Sequence, residues 1–292
     1  MNWLGILFIA ISAIGFSSKA ILVKLSYRDL SDPITILFLR MLFAFPFFLF
    51  MVLKERHKFK KLKLNTKDLW HIFTLGFIGY YLSSLFDFMG LKYITASLER
   101  LILYIYPTIV FIIHFLLFKK EIHKNELISL FLTYGGVAFV FMNNSNSKHE
   151  NKLLGGIYIF LCALTYAWYI SGSEKYITKM GSTFFASNIL CISSLIVFLH
   201  FFVTKDTKVL FALPLNVWLT GLGMGIFSTV IPVYLVAAGI RMIGSKKAAI
   251  AGTIGPVSTI LLSYYILDEP ISSMELIGSV FIISSVLLIG KK

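Results

Sequence analysis

YYLSSLFDFMGLKYITASLERLILYIYP, residues 80–107, decides how this chain is read. It reads as the end of one hydrophobic span, a tight turn near Leu91–Thr95, and the first half of the next span. Three charges sit inside those spans: Asp87, Glu99 and Arg100. That is too little charge for a soluble helical hairpin and too much for an inert membrane hairpin. An ionisable group at a bilayer centre costs about 2.5–3.5 kcal/mol on insertion scales. Such groups face a bundle interior or a wet cavity and have partners.

The surrounding chain has the same character. Of its 292 residues, 58% are hydrophobic and only 14% charged, which excludes an ordinary soluble domain. A spanning helix needs about 20 mostly apolar residues. Ten stretches qualify: Trp3–Leu25, Ile34–Leu53, Leu69–Leu91, Ile94–Phe118, Glu126–Met142, Leu153–Lys175, Phe184–Val203, Val217–Ile240, Lys246–Leu267 and Met274–Gly290. The fold class expected is an all-α polytopic membrane protein with almost nothing outside the bilayer. The net charge of +13 would suggest nucleic acid on a soluble protein. Here the lysines cluster at span ends, notably in the Lys54–Lys67 run, at Lys119, Lys120 and Lys124, and at Lys246 and Lys247. Cationic connections stay in the cytoplasm. The pattern predicts a cell-membrane protein with both termini cytoplasmic, the bilayer as partner and no nucleic acid.

Cys162 and Cys191 fall inside apolar spans and read as small core residues. No pair of His, Cys or carboxylates has metal-ligand spacing, and no nucleophile elbow or phosphate loop is present. No metal, cofactor or catalysis is expected. The second half has interior aromatics and hydroxyls in place of charges. From them Trp168, Tyr169, Tyr234 and Thr253, with Tyr104, are expected to line a pocket.

The chain repeats itself at an offset of 149 residues. Gly90-Leu91-Lys92-Tyr93-Ile94 matches Gly239-Ile240-Arg241-Met242-Ile243; Pro107 matches Pro256; Glu126-Leu127-Ile128 matches Glu275-Leu276-Ile277. Five spans per half is an odd number, so the second half enters the membrane upside down. The expectation is two inverted five-helix repeats, 1–142 and 153–292, joined by the polar linker 143–152. Inverted repeats that bind at the midplane are a mark of secondary transporters. Pro107 and Pro256 each remove an amide donor near the middle of a span and are expected as hinges.

Ten spans in this repeat, the run ASLERLILYIYPTIV, and the Gly255-Pro256 and Leu267-Asp268-Glu269-Pro270 segments resemble the EamA-type transporters of the drug/metabolite transporter superfamily. The resemblance covers nearly the whole chain. It implies export or exchange of a small polar or amphipathic metabolite without ATP hydrolysis, by alternating access. A small-molecule substrate is then the implied partner. A second reading stays open, a non-transporting membrane scaffold or lipid-handling subunit. The charged residues are outside what the resemblance covers.

Counting inward from each outer span end at about 1.5 Å per residue, Lys19, Arg40, Asp87, Glu99 and Arg100 share one depth, roughly 6–9 Å below the outer hydrocarbon surface. Left unpaired they would cost on the order of 10 kcal/mol. They are expected to form one network, with Asp87 and Glu99 paired to Arg40 and Arg100. The network is either an outer gate with a surplus positive charge for an anionic substrate group, or a static lock.

Overall fold

The computed structural model describes residues 3–57, 62, 64–118, 128, 131, 132, 134–136, 138, 151–243, 251, 252 and 254–290. Most of the expected 126–142 span, nearly all of the linker and Thr253 lie outside them. Among the described residues the chain is all helical. Six helices are long and apolar enough to cross a membrane: α1 (Trp3–Asp29), α2 (Pro33–Lys54), α3 (Thr66–Leu91), α6 (Lys152–Met180), α7 (Ser182–Thr204) and α9 (Leu215–Ile243). Shorter helices are α4 (Ala96–Leu103), α5 (Tyr106–Phe118), α8 (Lys208–Phe211), α10 (Ile254–Leu267) and α11 (Ser273–Gly290).

Local chemistry sets the ends. Asp32 caps α2 by accepting from Thr35 N at 3.0 Å, and Pro33 takes the first position, where no amide is needed. Burial favours the neutral form of Asp32. Bonds from Lys205 and Thr35 outweigh burial and hold the carboxyl below its ordinary range. Asn65 and Asp68 form a capping box that starts α3. Thr95 caps α4 through Leu98 N, just after the turn expected near Leu91–Thr95. At Pro107 the expected kink is a full interruption. α4 stops at Leu103, Tyr104 and Ile105 form a turn, and α5 starts at Tyr106. Proline cannot donate to the preceding turn and its ring crowds it. Pro256 lies within α10, and residues 251 and 252, on the far side of Thr253, are helical as well.

Two helices contain π segments, Leu75–Leu82 in α3 and Ile226–Val230 in α9. The repeat offset carries one segment onto the stretch that contains the other. Packing follows the same offset. α1 lies on α9 and α10, while α6 lies on α3, α4 and α5; α2 and α7 pack on each other. The close approaches are mirrored residue for residue. A Cβ on Gly76 would meet Ile192 at 2.8 Å and Ile189 O at 3.4 Å; on Gly225 it would meet Phe43 at 2.7 Å and Arg40 O at 3.0 Å. Adding 149 to Phe43 and Arg40 gives Ile192 and Ile189. A Cβ on Gly90 would likewise meet Ile159 and, at 3.1 Å, Gly155 O, and one on Gly239 would meet Ile9 and, at 3.1 Å, Gly5 O. Only glycine lets backbones come this near.

Candidate functional site

The described ionisable groups converge where α1, α3 and α4 meet. Lys19 on α1 puts Nζ 2.6 Å from Asp87 Oδ2 and 3.7 Å from Glu99 Oε1. Asp87 and Glu99 are 1% and 0% exposed, so water does not solvate them. Lys19 stands at ion-pair distance but off the direction of a good hydrogen bond, and none of the four carboxylate oxygens has an aligned donor among the described residues. α1 approaches because its face is small. Gly15 packs on Pro232, Ser12 donates to Pro232 O, and Ser18 bonds Ser228.

The pairing differs from the expected one. Arg40 takes neither carboxylate. Its Nε donates to Thr229 Oγ1 at 2.9 Å, one Nη donates to Ser84 Oγ at 3.3 Å, and the guanidinium lies 5.7 Å from the centre of the Phe88 ring. Thr229 belongs to the π segment of α9. Arg100 also pairs with neither carboxylate. Nη2 donates to Ser17 Oγ at 3.4 Å, the guanidinium sits 5.5 Å from the Tyr104 ring centre, and buried Nε has no partner among the described residues. Adjacent helical residues point about 100° apart, so Glu99 and Arg100 face different neighbours. Rotation about the helix was not legible in the sequence. The flexible four-carbon stem of lysine reaches both carboxylates from one position.

The expected pocket set is dispersed. Tyr104 stands beside Arg100, and its hydroxyl donates to Gly252 O at 3.4 Å. Tyr169 is buried and packs on Tyr80, with ring centres 5.8 Å apart. Trp168 does not join them. It continues the exposed stripe of Ile157, Phe160 and Leu164 on α6, the helical spacing of a lipid-facing edge. Tyr234 packs on Phe48 and lies 3.5 Å from Ser187 Oγ, on the side where α2, α7 and α9 meet.

Tyr104 and Tyr169 are instead joined by Tyr106 and Tyr166, which were not in the expected set. Ring centres follow at 6.3 Å for Tyr104–Tyr106, 5.0 Å for Tyr106–Tyr166 and 5.8 Å for Tyr166–Tyr169. Phe185 and Tyr176 extend this line toward Asp68, which binds Tyr176 and Lys175. The signal available was the Tyr166-x-x-Tyr169 spacing, which puts two hydroxyl-bearing rings on one face.

The end of α10 has its own fixture. α10 ends at Leu267 with Asp268 left-handed (φ 57°), and Glu269 N donates to Ser263 O at 3.2 Å. This backbone bond six residues back turns Glu269 onto the start of α4, where it accepts from Ala96 N at 3.2 Å. Burial raises the Glu269 carboxyl above its ordinary range, against Lys24, which lowers it. Glu269 lines a cavity of about 220 Å³ with Lys24, Tyr27, Arg28 and Lys92.

The profile of the EamA-like transporter family matches residues 3–142 and 153–291. The chain belongs to that family. Among its relatives is YcbK of Bacillus subtilis, named an uncharacterized transporter, 27% identical over 94% of this chain and 88% of that protein. YyaM of the same organism, also named an uncharacterized transporter, is 26% identical over 78% of this chain and 75% of that one. A solved crystal structure shares the fold at TM-score 0.68 and 14% identity, covering 98% of this chain and 96% of its own.

Proposed function

We propose that this protein is a secondary transporter of the cell membrane, with both termini in the cytoplasm. It carries a small metabolite bearing a carboxylate by rocking two inverted five-helix halves, 1–142 and 153–292, about the 143–152 linker. The mirrored glycine contacts support the inverted repeat. Pro107 and Pro256 act as hinges, since the interruption at Tyr104–Ile105 leaves α4 and α5 free to tilt separately.

The observation that carries the reading is Arg100. Its half-buried cation has no carboxylate partner among the described residues, and a Cβ on Gly255 would lie only 2.9 Å from its Nη2. It stands at the seam of α1, α4 and α10, at the head of the tyrosine line. A carboxylate arriving there lowers the surplus positive charge and supplies the missing Nε bond. The tyrosines offer apolar faces with hydroxyl edges below it, suited to an amphipathic body. The Lys19–Asp87–Glu99 cluster closes the outer end.

Thermal stability of the purified protein against a carboxylic-acid library tests the reading, because a ligand of the folded state raises stability by mass action. Acids that stabilise the protein should be taken up by reconstituted vesicles. Arg100→Gln should fold but lose both responses. Stabilisation by neutral or cationic compounds only would overturn the substrate class. Vesicles that transport nothing would favour the scaffold reading.

A further inference from the structure

The Asp87 and Glu99 carboxyl groups converge on the same ammonium, at 2.6 Å and 3.7 Å from Lys19 Nζ, and a pair of carboxylates has no proton to donate. Both are sealed from water, and no serine, tyrosine or backbone amide among the described residues satisfies them. The one ammonium at ion-pair distance among the described residues, Lys19, is committed to Asp87 at 2.6 Å and reaches Glu99 only at 3.7 Å. Two like charges in contact cannot both persist in a dry site. A proton on Glu99 converts the repulsive contact into an O–H···O⁻ bond to Asp87 and leaves Lys19 and Asp87 as a balanced pair.

We infer that Asp87 and Glu99 hold one proton between them, seated by Lys19, and that this proton is the ion that drives transport. The coupling half of this inference rests on the transporter reading above; the shared proton does not. Other groups facing the pair do not supply it. α6 presents the Cys162 thiol, engaged with Ser83, and α2 presents Arg40, bound to Thr229. α4 itself adds Arg100 and Tyr104. From the α10–α11 side, Glu269 caps Ala96 at the outer end of α4 and Glu275 lies beside Glu269.

Charge balance sets the direction of coupling. Lys19, Arg40 and Arg100 against Asp87 and Glu99 leave one surplus positive charge. Binding a proton at Glu99 and a substrate carboxylate at Arg100 together leaves that surplus unchanged, whereas binding either alone changes it. Empty and doubly loaded forms are therefore electrostatically equivalent, and proton and anion cross in the same direction. When the cluster opens to water, the Glu99 O–H bond breaks and its proton passes to water. The carboxylate left behind restores a negative charge to the cluster and weakens its hold on the substrate anion at Arg100.

Infrared spectroscopy of the purified full-length protein tests the shared proton without any substrate. The wild type at neutral pH should show a protonated-carboxyl C=O band that shifts in deuterium oxide. Glu99→Gln should lose it. Absence of the band in wild type, or its persistence in a folded Glu99→Gln protein, overturns the inference. The coupling is read in vesicles given a mixture of isotopically labelled carboxylic acids. An inward proton gradient should drive accumulation by wild type, while Glu99→Gln should exchange acids downhill and lose accumulation. Gradient-driven accumulation by Glu99→Gln overturns the coupling. If the band is present and wild-type vesicles exchange nothing, the transporter reading fails and the proton site stands.

Discussion

Replacing Lys19 by methionine removes the one cation that touches both buried carboxylates. At an effective dielectric of about 20, its contact with Asp87 at 2.6 Å contributes roughly 6 kcal/mol, while a protonated Glu99 at 3.7 Å adds no second ion pair. Desolvating each ion costs several kcal/mol, so the net value of the pair is much smaller than that figure. Truncating one partner strands the other, and the expected loss is about 3–5 kcal/mol. Methionine keeps the length of the stem, so the loss is electrostatic and not a cavity. Lys19→Met/Asp87→Asn removes both charges of the short pair, and most of the loss should return. Reversible unfolding of the purified protein in mixed micelles, titrated with a denaturing detergent, would measure both variants. A single variant within about 0.5 kcal/mol of wild type, the scatter of an ordinary surface change, would refute the reasoning. So would a double variant no better than the single one.

Arg40→Gln breaks charged hydrogen bonds to Thr229 and Ser84 but strands no carboxylate, so the same titration should show a loss of about 1.5–3 kcal/mol, below that of Lys19→Met. Gly239→Val and Gly90→Val put side chains where Ile9 and Ile159 pack, and each should cost about 1–3 kcal/mol, while Leu199→Val on the exposed perimeter should cost little. Asp32 titrates below its ordinary range, so its bond to Lys205 contributes fully above the unfolded value of about 3.9 and is lost as pH falls through the folded value. The pair is partly exposed, so Lys205→Ala should be less stable by under about 1 kcal/mol at neutral pH, with the gap closing in acid. Single cysteines at Lys60 and Ser147, in a chain with Cys162 and Cys191 replaced by serine, should label from opposite sides of the membrane; same-side labelling would defeat the inverted repeat.

Apolar length was the most legible feature, because burial in lipid needs runs that no loop supplies. The offset of 149 was legible too, and it reaches down to single contacts: Gly76 on Ile192 and Gly225 on Phe43 are one interaction used twice. The depth of the five charges could be counted along each helix. Their partners could not, since a π segment upstream of Asp87 shifts the helical phase in a way no residue type announces. The tyrosine line failed for a related reason. Trp168 and Tyr169 are neighbours in sequence, but about 100° of rotation sends one to the perimeter and the other inward.

The two π segments carry a further consequence. Each is a helix holding more residues than its hydrogen-bond ladder can pair at the usual spacing, and the surplus can be handed along by exchanging one carbonyl for the next. In α9 the Thr229 hydroxyl donates to Met224 O, five residues back, and the same oxygen accepts from Arg40. Any migration of that surplus therefore tugs directly on the guanidinium. α3 has the same slack, and Asp87 lies five residues beyond it. A helix pair built this way carries slack in its hydrogen-bond ladder between anchored ends, and in both halves that slack lies close to a buried charge.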